Sequence, residues 1–206
     1  MDAKNKVESK IYTTTDGQEI VLRQPDAARD LERLIGFFDR LPPKVRNYMR
    51  HGAQDRETAA RRLAQIDNAS HWRLVAELDG EIVADATLDR EPFNWSRHVA
   101  EIRPILDPHF KHKGIRALLC RELVGLGRAQ GIERLFTEVS PEQKDLIATL
   151  EREGFTYEAT RRKYAKDHDG RLMDVTLMSS DLEEVWERLE EEIERLDGIH
   201  MHSGRY

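Results

Sequence analysis

The sequence contains little cysteine and no long apolar run. Cys120 is the one cysteine among 206 residues, so no disulfide can form within the chain, as is typical of a reducing compartment. No apolar run approaches the roughly 20 residues that a membrane helix needs. The first residues, "MDAKNKVESKIYTTTDG", lack the apolar segment of a signal peptide. We therefore expect a cytoplasmic protein that does not act on or in a membrane.

An excess of basic residues is also missing. The formal net charge is −6, from 33 Lys and Arg against 39 Asp and Glu. Proteins that bind nucleic acid generally carry a broad basic face, so we expect no nucleic-acid partner. Hydrophobic residues make up 39% of the chain and charged residues 35%. Together with clear apolar periodicity, this composition indicates a folded globular protein.

Apolar periodicity and turn signals divide the chain into strands and helices. The predicted strands are residues 18–24, 72–78, 81–88, 98–106, 134–139, 155–165 and 171–178. The predicted helices run from the Asp26 cap to Pro42-Pro43, over 55–66 and 114–131, from the "SPEQ" capping box at 140–143, and over 181–196. The order β, αα, βββ, α, β, α, ββ predicts an α/β (α+β) fold, a mixed sheet with helices on its faces.

We expect four segments along the chain. Residues 1–17 form an N-terminal extension, 18–180 the main domain, 181–197 an added C-terminal helix and 198–206 a flexible tail. The C-terminal helix carries a narrow apolar seam of the coiled-coil type, made of Leu182, Val185, Leu189, Ile193 and Leu196. This seam indicates either a homodimer through the helix or packing of the helix on its own domain.

The stretch "LDPHFKHKGIRALLC" (106–120) joins a strand to a helix through Lys111, His112, Lys113 and Gly114. Free backbone N–H groups and the helix dipole make a helix N-terminus an anion site, and a glycine lets a ligand approach the backbone. The pattern therefore indicates a phosphate-binding turn, although its glycine spacing is neither a Walker loop nor a dinucleotide fingerprint. The alternative is an ordinary solvated loop with surface lysines.

The same stretch resembles the acetyl-CoA-binding motif of the GNAT superfamily of N-acetyltransferases, which typically reads V-D-P-x-Y-R-G-K-G-[IL]-[GA]-x-x-L. The identical or conservative matches are Leu106, Asp107, Pro108, Phe110, Lys111, Lys113, Gly114 and Ile115. "EREGF" (151–155) is similar to the family's "YEKLGF", and the order of elements fits from about residue 18 to 180. "GFFDRLPPKVRNYM" and "HVAEIRPIL" look most similar to the branch that includes bacterial protein-lysine acetyltransferases.

The resemblance implies a mixed, mostly antiparallel sheet in which two parallel strands, 98–106 and 134–139, splay apart around acetyl-CoA. Pro104, which cannot donate to a ladder, should leave its strand bulged or unpaired near the end. Backbone groups near Ile105 and Leu106 would pair with the pantetheine arm. The pyrophosphate would be held by backbone N–H groups of Lys111, His112, Lys113, Gly114, Ile115 and Arg116. Acetyl-CoA is then the co-substrate, and no metal is expected.

Acetylation of an amine requires its neutral form, so a carboxylate that removes a proton can assist the reaction. Glu101 is the predicted base, because the resembling branch often has a glutamate at the matching place. The alternative is an exposed strand carboxylate paired with Arg97 or Arg103. Glu138 on the neighbouring strand is the second candidate base.

Three positions depart from the family pattern. His112 replaces a small residue. Arg116 replaces a small residue, and its side chain either turns outward, pairs with a phosphate or blocks the cofactor. Leu150 stands where many members have a tyrosine that protonates the leaving thiolate; Tyr157 and Tyr164 are nearby in sequence. The resemblance implies an acetyl-CoA-dependent N-acetyltransferase in which an amine, on a small molecule or a protein lysine, attacks the thioester directly. The alternative is a non-catalytic acyl-CoA-binding module.

Overall fold

The structure is a computed structural model that describes residues 7–46, 48–49, 55–66, 70–91, 93–167 and 169–187. Its strands are β1 (Lys10–Thr13), β2 (Glu19–Arg23), β3 (His71–Leu78), β4 (Glu81–Arg90), β5 (Val99–Leu106), β6 (Arg134–Val139), β7 (Thr156–Lys166) and β8 (Leu172–Asp181). Its helices are α1 (Ala27–Arg40), α2 (Pro43–Arg46), α3 (Arg56–Ala64), α4 (Ile115–Ala129) and α5 (Lys144–Arg152), and residues 182–187 are also helical. No helix within these ranges is long and apolar enough to cross a membrane.

The eight strands form one sheet in the order β1-β2-β3-β4-β5-β6-β8-β7. Neighbouring strands are antiparallel except for β5 and β6, which are parallel and are connected through α4. A parallel pair needs such a crossover connection, whereas the antiparallel pairs β3–β4 and β7–β8 are closed by short turns. The mixed, mostly antiparallel sheet is confirmed.

Two apolar clusters cover the two faces of the sheet. The larger one, here the α4-side core, joins Ala100, Ile102 and Leu106 of β5 to buried residues of α4 and α5 such as Leu119, Leu123 and Leu150. The smaller one, the α1-side core, joins Leu34, Phe37 and Phe38 of α1 to Leu63, Val75 and Ile82, with Ile105 packed against it. Because side chains alternate along a strand, consecutive β5 residues contribute to opposite faces.

Capping residues predicted from the sequence mark the start of α1 and the end of α4. The Asp26 side chain accepts hydrogen bonds from Ala28 N and Arg29 N at 3.0 and 2.9 Å and so caps α1. Gly131, which directly follows the C-cap residue Gln130 of α4, has φ 71°, a left-handed conformation that glycine tolerates.

The structure differs from the sequence prediction in three places. Residues 10–13 of the predicted N-terminal extension form β1, which pairs with β2 at the sheet edge. The short helix α2 follows Pro42 directly, because proline is tolerated in a first helical turn. At the "SPEQ" segment, Gln143 Oε1 does accept from Ser140 N at 2.9 Å, but α5 begins only at Lys144.

The C-terminal helix begins against the chain's own core. Leu182 and Val185, the first two residues of the apolar seam, are buried in the α4-side core, and the Trp186 ring lies 3.9 Å from the Arg128 guanidinium carbon. The start of the seam thus packs on its own domain. The remaining seam residues, Leu189, Ile193 and Leu196, lie outside the described residues, as do the predicted tail 198–206 and residues 1–6.

Candidate active site

A gap opens between the parallel strands β5 and β6. Their paired residues run from Val99 and Arg134 to Glu101 and Phe136, and the pairing stops there. Both strands continue beyond that point, β5 paired to β4 as far as Leu106 and β6 paired to β8 as far as Val139. The expectation that Pro104 ends pairing is met on the β6 side alone, since the register with β4 runs through Pro104 without a bulge.

The ladder between β4 and β5 decides which backbone groups face this gap. Asp107 N donates to Val83 O and Glu91 N donates to Val99 O, each at 3.0 Å. Hydrogen-bonded positions alternate in an antiparallel ladder, so odd-numbered β5 residues bond to β4 and even-numbered ones face β6. Leu106 therefore turns its N–H and C=O into the gap, whereas the backbone of Ile105 turns toward β4. Pro104 presents a carbonyl there and no unsatisfied N–H.

The turn into α4 lies where β5 ends, close to the open end of this gap. Gly114 is the N-cap residue of α4 with φ 77°, and His112 has φ 66°. Within the described chain, the backbone N–H groups of residues 112–117 donate no hydrogen bond. Six consecutive free donors at the positive end of a 15-residue helix form a site suited to a phosphate group.

The N-terminal turn between β1 and β2 holds this loop in place. Thr15 N donates to Lys113 O at 3.2 Å, and Thr15 Oγ1 donates to His112 O at 2.8 Å. The Lys113 ammonium group is bonded to Asp16 and Gln18, while Lys111 Nζ lies 2.8 Å from Asp145 Oδ2 in an exposed pair. Both lysines have side-chain partners in the described chain, whereas the backbone donors of residues 112–117 and Arg116 Nε have none.

Arg116 is half-buried, and its charge interacts with that of Asp145 of α5. Its Nε is buried and has no hydrogen-bond partner in the described structure. Burial lowers the pKa of the guanidinium, while the negative charge of Asp145 acts in the opposite direction. A buried donor without a partner is costly, and an anion bound between the two helices would satisfy it.

On the α1 side of the sheet, Glu101 lies at the point where the gap begins. Only 6% of Glu101 is exposed, and both of its oxygens accept from Arg103, at 2.8 Å from Nε and also from Nη2. Arg103 Nη1 donates in addition to Asp89 Oδ2 at 2.7 Å, and His71 Nδ1 lies 2.9 Å from Asp89 Oδ1. Glu101 is thus buried and ion-paired at the start of the gap.

The pairing with Arg103 agrees with the alternative reading of Glu101, but that reading expected an exposed side chain and Glu101 is buried. The second candidate base, Glu138, also lies on the α1 side, because it alternates with Leu135 and Val139 of the α4-side core. Arg161 Nη1 donates to Glu138 Oε1 at 2.7 Å. Of the two carboxylates, Glu101 is the one at the start of the gap.

The tyrosines near Leu150 in sequence are far from the gap in space. Leu150 is fully buried in the α4-side core. Tyr157 and Tyr164 are 62% and 58% exposed on β7, the edge strand that β8 separates from β6. Neither tyrosine can reach a thioester between β5 and β6. Cys120 is buried, and burial raises the pKa of its thiol to about 12, as expected for a packing residue.

The acetyltransferase (GNAT) family model matches residues 38–155, more than half of the chain. The chain belongs to the GNAT family of N-acetyltransferases. Over 108 residues it is 28% identical to AaaT, an L-amino acid N-acetyltransferase of Escherichia coli (strain K12), and this match covers 52% of the chain and 66% of that protein, just under two thirds.

Solved structures share the fold of this GNAT protein. Mycobacterium smegmatis RimJ, in complex with CoA-disulfide, superimposes with a TM-score of 0.74 at 20% identity, covering 89% of this chain and 91% of that one. The yncA acetyltransferase of Salmonella typhimurium, with its cofactor acetyl-CoA, gives a TM-score of 0.67 at 20% identity, covering 79% and 94%.

Sequence reasoning about this GNAT protein missed three features of the site. It did not place Asp89 and His71 beside Arg103, because these contacts join three different strands. It did not identify the role of the N-terminal turn in holding the loop before α4. It also missed Tyr48, whose hydroxyl donates to Glu142 Oε2 at 2.9 Å. No sequence pattern signals these contacts, since each depends on how distant segments pack.

Proposed function

We propose that this protein transfers the acetyl group of acetyl-CoA to an amine. The gap between β5 and β6 is the observation that carries the proposal. It offers unpaired backbone groups at Leu106 along its wall, and six free N–H groups of residues 112–117 lie toward its open end. A pantetheine arm in the gap would place the CoA diphosphate against the start of α4. Similar structures in complex with CoA-disulfide or with acetyl-CoA support this cofactor.

Arg116 completes the proposed diphosphate site. A guanidinium can bind a phosphate through two parallel hydrogen bonds, and the unpartnered Nε of Arg116 is available for such a contact. This arrangement favours phosphate binding by Arg116 over an outward orientation. The third reading, in which Arg116 blocks the cofactor, predicts tighter CoA binding when the side chain is shortened.

The acceptor amine would approach on the α1 side of the sheet, where Glu101 lies. An amine like that of lysine has a pKa of about 10.4, so only about one molecule in several thousand is neutral at pH 7. Glu101 would take the ammonium proton, directly or through a water molecule, and Arg103 would hold its carboxylate in position. The neutral nitrogen would then attack the thioester carbonyl and form the C–N bond. As the intermediate collapses, the C–S bond breaks, the nitrogen loses its second proton to solvent, and the CoA sulphur leaves as a thiolate that takes a proton from solvent.

Two classes of acceptor are proposed for this site. The resemblance to the protein-lysine acetyltransferase branch favours a protein lysine, and the partial similarity to an L-amino acid N-acetyltransferase favours a small amine. We further propose a cytoplasmic location, in keeping with the single cysteine. A homodimer through the C-terminal helix would use the part of the seam beyond Val185.

The test measures thiol release from acetyl-CoA with the full chain, over a panel of free amino acids, small amines and lysine peptides. We expect acceptor-dependent release, with one class clearly preferred. Calorimetry with CoA runs in parallel. CoA binding without turnover on any acceptor would instead support a non-catalytic acyl-CoA-binding module, and absence of CoA binding would reject the proposal.

A further inference from the structure

We infer that Thr15, in the turn between β1 and β2, is a positioning residue for the diphosphate site. It holds the loop before α4 so that backbone N–H groups of the loop face the ligand. The inference rests on the proposed function and adds to it a residue from the N-terminal part of the chain. Thr15 lies well before residue 38, where the match to the family model begins.

Thr15 contacts the loop through three of its own groups. Its backbone N–H donates to Lys113 O at 3.2 Å, and its hydroxyl donates to His112 O at 2.8 Å. Its methyl carbon Cγ2 lies beside Gly114, 3.4 Å from the position that a β-carbon would take there. A single residue of the turn thus binds two successive carbonyl groups of the loop and packs against its glycine.

The two hydrogen bonds determine where two backbone donors of the loop point. A trans peptide unit carries its C=O and its N–H on opposite sides. The His112 carbonyl shares a peptide unit with Lys113 N–H, and the Lys113 carbonyl shares one with Gly114 N–H. Both units are trans. Because both carbonyls point at Thr15, both N–H groups point away from it, and neither donates a hydrogen bond within the described chain.

The backbone of the loop has the form of a concave anion site. His112 and Gly114 have positive φ of 66° and 77°, whereas Lys113 between them does not. Such an alternation turns successive N–H groups toward one side, where they bind an anion together. A positive φ is costly for a residue other than glycine. The hydroxyl of Thr15 binds the carbonyl of His112 and so helps to hold this conformation.

The turn that presents Thr15 is itself closed by hydrogen bonds. Gly17 N donates to Thr14 O at 3.0 Å, which makes a four-residue β-turn with Thr15 at its second position. Thr14 Oγ1 donates to Asp16 Oδ1 at 2.6 Å and accepts from Gln18 N at 3.0 Å. The strands on either side of this turn pair with each other. The position of Thr15 is therefore set before any ligand binds.

A diphosphate fits the donors that this arrangement leaves free. Beside the N–H groups of Lys113 and Gly114, the first turn of α4 carries Arg116, whose buried Nε has no partner in the described structure. Several donors at the start of a helix favour an anion with several oxygen atoms. Thr15 uses its own donors on the loop, so it acts on the ligand only through the loop. It should therefore raise the affinity for the diphosphate and take no part in acetyl transfer.

The experiment compares three substitutions of Thr15 in the full chain. Thr15→Ser keeps both donors, and Thr15→Val keeps the backbone N–H alone. Thr15→Pro keeps neither, and proline is favoured at the second position of a β-turn. By calorimetry, the CoA dissociation constant should stay within about twofold in Thr15→Ser and rise about fivefold in Thr15→Val and about 20-fold in Thr15→Pro. Thr13→Val removes an exposed hydroxyl two residues earlier and should bind CoA like the wild type.

Three further measurements separate positioning from a general effect on the fold. Dephospho-CoA lacks the 3′-phosphate but keeps the diphosphate, so its affinity should fall by the same factors. The KM for acetyl-CoA should rise with the dissociation constant, while kcat at saturating acetyl-CoA stays at the wild-type value, because the contact affects binding alone. The Tm of Thr15→Val without ligand should stay close to that of the wild type.

The outcomes distinguish the inference from its alternatives. It is overturned if Thr15→Val and Thr15→Pro bind CoA like the wild type, or if affinity falls for CoA but not for dephospho-CoA. It is also overturned if kcat and Tm fall together with affinity, as in a purely structural role. If the wild type binds no CoA, the proposed function fails together with the inference. A wild type that binds CoA no better than Thr15→Pro overturns the inference alone.

Discussion

Arg23 and Arg103 each bridge two carboxylates, and the two groups of charged side chains have different roles. Arg23 lies between Asp30 of α1 and Glu77 of β3, with its Nη1 2.6 Å from Asp30 Oδ2. Arg103 lies between Glu101 and Asp89 in the same sheet. The residue types and distances are alike, so the difference must come from what surrounds each group.

The Arg23 group is closed around Asp30. The side chain of Asp30 has no exposed surface, and its oxygens accept hydrogen bonds from Arg23, Arg29, Arg33 and Asp26 N. A carboxylate has about four lone-pair sites, so Asp30 has no capacity left for another ligand. This group fastens α1 to β2 and β3.

The Arg103 group is open at one end. Glu101 lies where the pairing of β5 and β6 stops, and the side chain of His71, at the other end of the chain of contacts, is 41% exposed. An ion pair alone therefore does not distinguish a catalytic carboxylate from a structural carboxylate. Glu101 becomes a candidate catalytic group because it lies at the gap between β5 and β6.

The largest expected effect is a loss of stability when the closed group around Arg23 is disrupted. Asp30→Ala leaves Arg23 partly buried without its main partner, and breaking such a pair typically costs about 3–5 kcal/mol. We expect a loss of this size in the free energy of unfolding by urea denaturation, with kcat per folded molecule unchanged. Asp39→Ala, on an exposed position of the same helix, is the control and should change stability by less than about 0.5 kcal/mol.

The pH dependence of the free energy of unfolding of Asp30→Ala tests whether the lost ion pair causes the loss of stability. Burial alone would raise the pKa of Asp30, but hydrogen bonds from Arg23, Asp26 N and Arg33 hold it well below its ordinary value. A lowered carboxylate pKa adds stability above the unfolded value of about 3.9, which is lost as the pH falls below it. The stability difference between wild type and Asp30→Ala should therefore narrow below about pH 4. If the stability difference between wild type and Asp30→Ala stays constant below pH 4, lost packing rather than a lost ion pair destabilises the variant.

The second effect is on the open group. Glu101→Gln keeps the shape of the side chain and removes the proposed base, so we expect kcat/KM to fall by about 100-fold. Glu77→Gln makes the same change in the closed group and should leave kcat unaltered. Rates are measured as thiol release from acetyl-CoA under saturating cofactor. Equal turnover of Glu101→Gln and wild type would remove Glu101 from the mechanism.

The third effect is a loss of CoA affinity on substitution of Arg116. Unlike Arg23 and Arg103, this arginine bridges no pair of carboxylates in the described chain. We expect Arg116→Met to weaken CoA binding about tenfold, or roughly 1.4 kcal/mol, because a phosphate contact is lost. Arg121→Met, on the same helix but paired with Glu153 at 2.9 Å, should bind CoA like the wild type. Calorimetry measures the dissociation constant of CoA for both variants and the wild type. Tighter CoA binding by Arg116→Met would show that the arginine obstructs the cofactor.

The smallest effect is on an exposed pair. Arg56 of α3 contacts Glu32 of α1, and their side chains are 68% and 66% exposed. Because solvent screens such pairs, Arg56→Met should change the free energy of unfolding by no more than about 0.5 kcal/mol. A loss as large as that of Asp30→Ala would contradict the view that enclosure determines the strength of these groups.

Secondary structure was largely predictable because its signals are local. The helix over 114–131 and the strand 134–139 follow from apolar periodicity and from Gly131, and the structure places them at Ile115–Ala129 and Arg134–Val139. β1 was missed because four residues with little alternation of burial give a weak signal. The start of α5 was misplaced because the capping-box contacts form within a turn that precedes the helix.

The sequence by itself determined the order of elements, the glycine turn before α4 and the resemblance to the family, since each depends on residues that are close along the chain. Only the tertiary structure decided that β5 and β6 part after three paired residues, that Arg103 and Asp89 accompany Glu101, and that Tyr48 bonds to Glu142. These contacts join segments up to about a hundred residues apart. They arise from packing of whole strands and helices, which no local pattern specifies.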